Sequence, residues 1–168
     1  VYYSYGFEHG WGGWTTNDNT ATGVMWHLSE THAFEGLSWW CADEAYGGYN
    51  NHWLQYMDSP VLNLTAFDGE SIILTFKLFH DMEQPEGAED PYNGWDGINV
   101  WISTDGGQNW DVFEPVSPAY HRSSLYSFGF EFGMGPDIPG WVGTSDGWVD
   151  CEFDLTDFGD QDDVMIRW

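Results

Sequence analysis

The stretch Val100–Trp110, which reads V-W-I-S-T-D-G-G-Q-N-W, decides the fold class of this chain. Residues 98–103 alternate in side-chain character, as expected for a strand with one apolar face. The Asp-Gly-Gly sequence at residues 105–107 then ends the strand, because glycine tolerates the positive φ that tight hairpin turns require. The stretch therefore predicts a β-hairpin that closes on Trp110.

The same stretch carries the spacing Ser-x-Asp-x-Gly-x-x-Trp, formed by Ser103, Asp105, Gly107 and Trp110. This spacing resembles the Asp-box, a β-hairpin motif of secreted all-β proteins. The resemblance implies that the Ser and Asp side chains bond to the turn backbone and that the Trp packs under the hairpin. We expect a structural role for these four residues, and we expect any ligand to bind elsewhere.

The composition limits the partners of the chain. Its 168 residues include 28 Asp and Glu but only three Lys and Arg, which gives a formal net charge of −25. Nucleic-acid binding requires basic residues for phosphate contacts, so it is not expected. Such a charge also disfavours anionic membrane surfaces and favours divalent cations, cationic partners or a salty medium. The 12 Trp allow a substantial core despite this acidity.

The residue patterns predict an all-β fold. No stretch has a helical apolar stripe, and no apolar run reaches membrane-spanning length, so membrane insertion is not expected. The clearest predicted strand is 71–80, and others include 2–8, 124–132 and 148–155. About ten strands separated by long loops favour an antiparallel β-sandwich of the jelly-roll type. We find no repeat or boundary, so residues 1–168 are interpreted as one domain.

Two further features concern processing. Cys41 and Cys151 are far apart in sequence, and either a long-range disulfide or two buried free thiols would explain them. The chain begins at Val1 rather than Met, and its last residues, 164–168, read as a strand without a closing turn. We therefore expect it to be part of a longer secreted or cell-surface protein.

Several short signatures occur in a fixed order along the chain. They are F-E-x-G at 7–10, G-W-T at 13–15, W-W-C at 39–41, G-Y-N-N-x-W-L at 48–54, S-P-V-L-N-L at 59–64, D-G at 96–97, the Asp-box, Trp148, D-L-T at 154–156 and I-R-W at 166–168. Together they resemble the MAM-like jelly-roll module attached to secreted bacterial peptidases of the immune inhibitor A type and to related cell-surface proteins.

The resemblance implies a calcium-stabilised β-sandwich with a binding or structural role. By position in that module, Glu8 and Asp154 are the first candidates for Ca²⁺ ligands and Asp96 is a third. The alternative is that these are turn and edge carboxylates in water. The module's associated peptidases use an H-E-x-x-H zinc helix, and this sequence has no such motif, so we do not expect peptidase activity.

No catalytic constellation stands out. Carboxylates are too numerous for a pair to be informative, and the six His show no metal-ligand spacing. Loop aromatics are better candidates, because sugar rings stack on Trp and Tyr in many β-sandwich modules. Alternatively, these rings cap the ends of the core. The candidates are Trp11, Tyr46, Tyr49, Tyr92, Trp95 and Trp141.

The sequence thus predicts a non-catalytic extracellular module for adhesion, or for recognition of a glycan or protein at the cell surface. Two alternatives stay open at this point. One is a structural subunit that self-associates in a filament or surface layer through an exposed β edge. The other is an ancillary domain of a secreted peptidase.

Overall fold

The computed structural model describes residues 4–168, which form two compact units, 4–60 and 61–168. Among these residues there are nine short strands, and their pairings are antiparallel. The helical segments are three short turns. The fold is therefore all-β, as predicted. The strands are divided among several sheets, so a ten-strand jelly-roll order is not confirmed.

The first unit contains two antiparallel strand pairs. Strand β1, Thr15–Asp18, pairs with β4, Gln55–Asp58. Strand β2, Trp26–Ser29, pairs with β3, Ser38–Cys41. The predicted first strand, 2–8, begins in residues outside the described range, and residues 4–8 are irregular rather than extended in a sheet.

The carboxylate of Asp18 organises the loop that follows β1. Its Oδ1 accepts hydrogen bonds from the Thr20 amide and hydroxyl at 2.7 Å each, and its Oδ2 accepts one from the Gly23 amide at 2.7 Å. The Gln55 amide of β4 also donates to Oδ1, at 2.8 Å. The Thr20 hydroxyl first, and then the amides of Thr20 and Gly23, lower the pKa of Asp18.

The second unit contains five strands. Strand β5, Ile73–Leu78, pairs with β8, Val149–Asp154, in the register Ile73↔Asp154 to Leu78↔Val149. Strand β6, Trp101–Ser103, lies between β7, Asp111–Val112, and β9, Met165–Arg167. Short 3₁₀ turns at Thr65–Phe67 and Thr156–Phe158 precede β5 and follow β8.

Period-two patterning explains the β5–β8 pair. In β5, Leu74, Phe76 and Leu78 are the less exposed side chains, and the residues between them are exposed, as the sequence predicted. Phe76 stacks on Phe153 of β8, with ring centroids 5.8 Å apart. The core of this unit has seven side chains that are at most 1% exposed: Val100, Leu125, Trp141, Cys151, Phe153, Val164 and Ile166.

One predicted strand is wrong. The run 124–132 alternates aromatic and small residues, but Ser127–Glu131 is a single π-helical turn. The Gly129 amide donates to the Leu125 carbonyl, and the Phe132 amide donates to the Ser127 carbonyl five residues back. Gly129 allows the Tyr92 ring to pack closely against this turn, because a Cβ there would lie 2.4 Å from Cε1 of Tyr92. Close packing against Tyr92 therefore overrides the strand pattern.

Candidate functional site

The Asp-box hairpin connects β6 and β7 and is saturated with internal hydrogen bonds. The Ser103 hydroxyl donates to Asp105 Oδ1 at 2.8 Å and accepts from the Gly107 amide at 2.9 Å. Asp105 Oδ1 also accepts from the amides of Gln108 and Asn109 at 2.9 Å each, and its Oδ2 accepts from the Asn109 side chain at 2.6 Å. These donors, the Asn109 amide first, lower the pKa of Asp105 to about 2.

Trp110, the last residue of the motif, contacts both the hairpin turn and strand β9. The Trp110 indole N–H donates to the Gly107 carbonyl at 3.0 Å, and the Arg167 guanidinium of β9 lies 4.0 Å from the centre of the Trp110 ring. The polar atoms of the motif are thus engaged within the hairpin. This geometry supports a structural role for Ser103, Asp105, Gly107 and Trp110.

Of the three predicted Ca²⁺ ligands, Glu8 lies in a turn, Asp96 lies in a bend, and Asp154 is the last residue of β8. Glu8, in the first unit, accepts the Leu37 amide on Oε1 at 2.8 Å. Asp154, in the second, accepts the Thr156 amide at 2.9 Å, and the Thr156 hydroxyl is the largest cause of its lowered pKa. Asp96 is half-buried after Trp95. Within residues 4–168, no three His, Cys, Asp or Glu side chains form a group that could hold a metal ion.

The six predicted aromatic residues have different environments. Trp11 is half exposed and packs edge-on against Trp39, at 5.1 Å between centroids. Tyr46 is the most exposed, and Tyr49 is half-buried nearby. The availability of Trp141 to a ligand is a wrong prediction. It is 1% exposed, because its ring packs on Tyr120 and Phe153 in the core.

Tyr92 and Trp95, by contrast, contribute to a shared aromatic surface. Both rings pack edge-on against Tyr126, at centroid distances of 5.4 and 5.3 Å. Phe130 stacks on Tyr126 at 5.0 Å with an interplanar angle of 27°, and Phe130 is 65% exposed. We call these four residues, Tyr92, Trp95, Tyr126 and Phe130, the Tyr126 surface.

Backbone contacts hold the Tyr126 surface in place. The Tyr126 amide donates to the Gly94 carbonyl at 2.9 Å, and the Trp95 indole N–H donates to the Glu86 carbonyl at 3.1 Å. Gly94 also forms a bridge with Leu125, a core residue. The loop before β6 and the π-helical turn are therefore joined by backbone hydrogen bonds.

An open groove of about 510 Å³ lies in the same unit, lined by residues next to the Tyr126 surface in sequence. Its lining includes Asn93, Glu114, Tyr120, Arg122 and Ser123. Asn93 follows Tyr92 directly, and its side chain donates to the Ser123 hydroxyl at 3.0 Å and accepts the Ser124 amide at 3.1 Å. Burial raises the pKa of Tyr120, whose hydroxyl donates to the Phe113 carbonyl at 2.6 Å.

Sequence reasoning missed Tyr126, Phe130 and Arg122 as members of a site. The signal for the first two was present, since Tyr126 and Phe130 are four residues apart, a spacing that brings side chains together on a helical turn. This spacing was not recognised, because residues 124–132 were predicted to form a strand. Arg122 was visible only as one of three basic residues, and nothing local placed it in a groove.

Cys41 in the first unit and Cys151 in the second are both free thiols in this structure, and a disulfide between them stays an untested alternative. Cys151 is buried in β8, and Cys41 at the end of β3 is half-buried. Burial raises the pKa of each thiol to about 12. Neither thiol is therefore activated as a nucleophile at neutral pH.

Among the described residues, no helix has the length and apolar character needed to cross a bilayer.

A scan against models of known protein families finds no match, and neither the curated proteins nor the solved structures contain a significant match to the chain. The resemblance to the MAM-like module therefore stays a prediction.

Proposed function

We propose that this chain is a non-catalytic, extracellular recognition module of the jelly-roll β-sandwich class that binds a glycan through the Tyr126 surface. The observation that carries the proposal is the exposure of Phe130, which is 65% accessible although it is stacked on Tyr126. An exposed ring that stacks on a cluster of half-buried aromatic rings is typical of a binding surface, because leaving apolar area in water costs free energy.

The chemistry of the surface favours a sugar over a wholly apolar ligand. A pyranose presents an apolar C–H face, which packs on an aromatic ring, and a rim of hydroxyls that need polar partners. The acidic loop 81–90 lies next to two of the rings, because the Trp95 indole donates to the Glu86 carbonyl and the Tyr92 amide donates to the Glu89 carbonyl. Its carboxylates could supply acceptors for the hydroxyls. The same acidity disfavours polyanionic ligands such as nucleic acids.

A glycan array followed by calorimetry tests this function. We expect Phe130→Ala to weaken the affinity for the array-selected oligosaccharide by at least about tenfold, equivalent to roughly 1.4 kcal/mol. Tyr46→Ala is the matched control, since Tyr46 is 77% exposed but lies in the first unit, outside the Tyr126 surface. An empty array, or equal effects of the two substitutions, would remove the proposal.

We also propose calcium as a stabilising ion. The support is the resemblance and the 28 acidic residues. The side chains of Glu8 and Asp154 already accept backbone amides, and the described residues contain no preassembled metal group. We therefore assign no chemistry to the ion. A ligand that binds only the native state raises Tm, so the loss of several degrees in chelator would support calcium, and an unchanged Tm would refute it.

A further inference from the structure

The groove that follows the Tyr126 surface in sequence contains a cation, Arg122, for which the described part of the chain provides no carboxylate partner. The chain has three basic residues in all. Lys77 bonds to Asp150 across β5 and β8 at 2.5 Å, and Arg167 lies over Trp110. Within residues 4–168, Arg122 has no ion pair, and its Nη1 donates only to the carbonyl of its neighbour His121, at 2.9 Å.

This arrangement is unusual in a chain with a formal net charge of −25. With so many carboxylates available, a lone guanidinium that lines a groove keeps most of its donors for another acceptor. The guanidinium fork matches a carboxylate, to which it can donate two parallel hydrogen bonds. Glu114, Ser123 and Asn93 line the same groove and could serve the hydroxyls that surround a carboxylate on a sugar.

We infer that this groove is a carboxylate subsite, in which Arg122 binds the carboxylate of an acidic sugar while a neighbouring sugar ring stacks on the Tyr126 surface. The inference rests on the proposed function and gives it a substrate class, glycans that contain uronic acids. Sequence neighbours and hydrogen bonds connect the groove to the Tyr126 surface. Tyr92 and Asn93 are adjacent in sequence, and Asn93 hydrogen bonds to Ser123 and Ser124, between Arg122 and Tyr126.

The charge of the whole chain sets a limit on the ligand. Its negative field repels polyanions, so only a local contact can admit a negative group. A sugar with one carboxylate among several hydroxyls meets this condition better than a densely sulfated or phosphorylated polymer. Glu114 further disfavours ligands with many negative charges, because an anion in the groove lies near the Glu114 carboxylate as well as near Arg122.

Calorimetry with three trisaccharides tests the inference. The probes are an aldotriouronic acid with one glucuronic acid on xylobiose, its methyl ester, and neutral xylotriose. We expect the wild type to bind the acid about tenfold or more tightly than the ester. In Arg122→Gln the preference for the acid over the ester should disappear. Glu114→Gln should have the opposite sign and strengthen binding of the acid.

The variants also separate this inference from the proposed function. Equal affinity of the wild type for acid and ester, or an acid preference that survives in Arg122→Gln, would overturn the carboxylate subsite. If Phe130→Ala still weakens binding of xylotriose or the ester, the proposed function stands without the subsite. If none of the three probes binds, the inferred substrate class is wrong. Thermal melts check that each variant is folded, and the acid-to-ester ratio of the wild type decides the question even if Arg122→Gln unfolds.

Discussion

Replacement of Ser103 by alanine should weaken the second unit through one hairpin. Ser103 is only 2% exposed. Its hydroxyl donates to Asp105 Oδ1 at 2.8 Å and accepts the amides of Gly107 and Asp105 at 2.9 and 3.3 Å. Alanine removes all three hydrogen bonds and leaves two backbone amides without this acceptor. A hydrogen bond contributes about 1 kcal/mol, and the longest of the three is weak because of its length. The expected loss of unfolding free energy is therefore about 2 kcal/mol.

Chemical denaturation measures this loss directly. We expect Ser103→Ala to lower the urea midpoint with an unchanged m-value and to lower Tm by roughly 4–8 °C. Thr104→Ala is the control, because Thr104 lies in the same turn with an exposed side chain, and its effect should stay within about 0.5 kcal/mol. If Ser103→Ala is as stable as Thr104→Ala, the motif does not lock the hairpin.

Three other predictions concern packing, pH and the thiols. Gly129→Ala should destabilise the chain by about 1–3 kcal/mol in denaturant titrations, because the new Cβ would lie 2.4 Å from the Tyr92 ring and 2.7 Å from a backbone oxygen; wild-type stability would contradict this packing. The pKa of Asp105 is about 2 in the fold against 3.8 ordinarily, so its stabilising effect should be complete above about pH 4 and lost as pH falls through 2. Between about pH 4 and 2, the unfolding free energy of Asp105→Asn should therefore fall less steeply with decreasing pH than that of the wild type. Equal slopes for the two proteins would exclude the effect. Ellman's reagent at pH 8 should react slowly with the native chain and then with two thiols, Cys41 and Cys151, after unfolding; no reaction in denaturant would indicate a disulfide.

The fold class was predictable because its signals are local. The alternation in 71–80 and 148–155 and the Asp-Gly turn at 105–106 each depend on neighbouring residues, and the observed strands lie within those ranges. The run 124–132 failed for the opposite reason. Its conformation depends on Tyr92, more than thirty residues earlier, packing against Gly129, and no sequence period encodes that contact.

The candidate site was predictable only in part. Loop position suggested that Tyr92, Trp95 and Trp141 could all meet a ligand, but exposure is decided by tertiary packing. The interior holds Trp141 between Tyr120 and Phe153, whereas Tyr92 and Trp95 gather on Tyr126.

The central claim, that a glycan binds on the Tyr126 surface, is tested most directly by aromatic NMR with labelled phenylalanine. The chain has 11 Phe, and the Phe130 signal is assigned by its absence in Phe130→Ala. On titration with the array-selected oligosaccharide, we predict that the ring signals of Phe130 shift, because an aromatic ring that contacts a sugar face changes its surroundings. Core rings such as Phe153, which is 0% exposed, should not shift. Saturable binding that leaves the Phe130 signals in place would contradict the account.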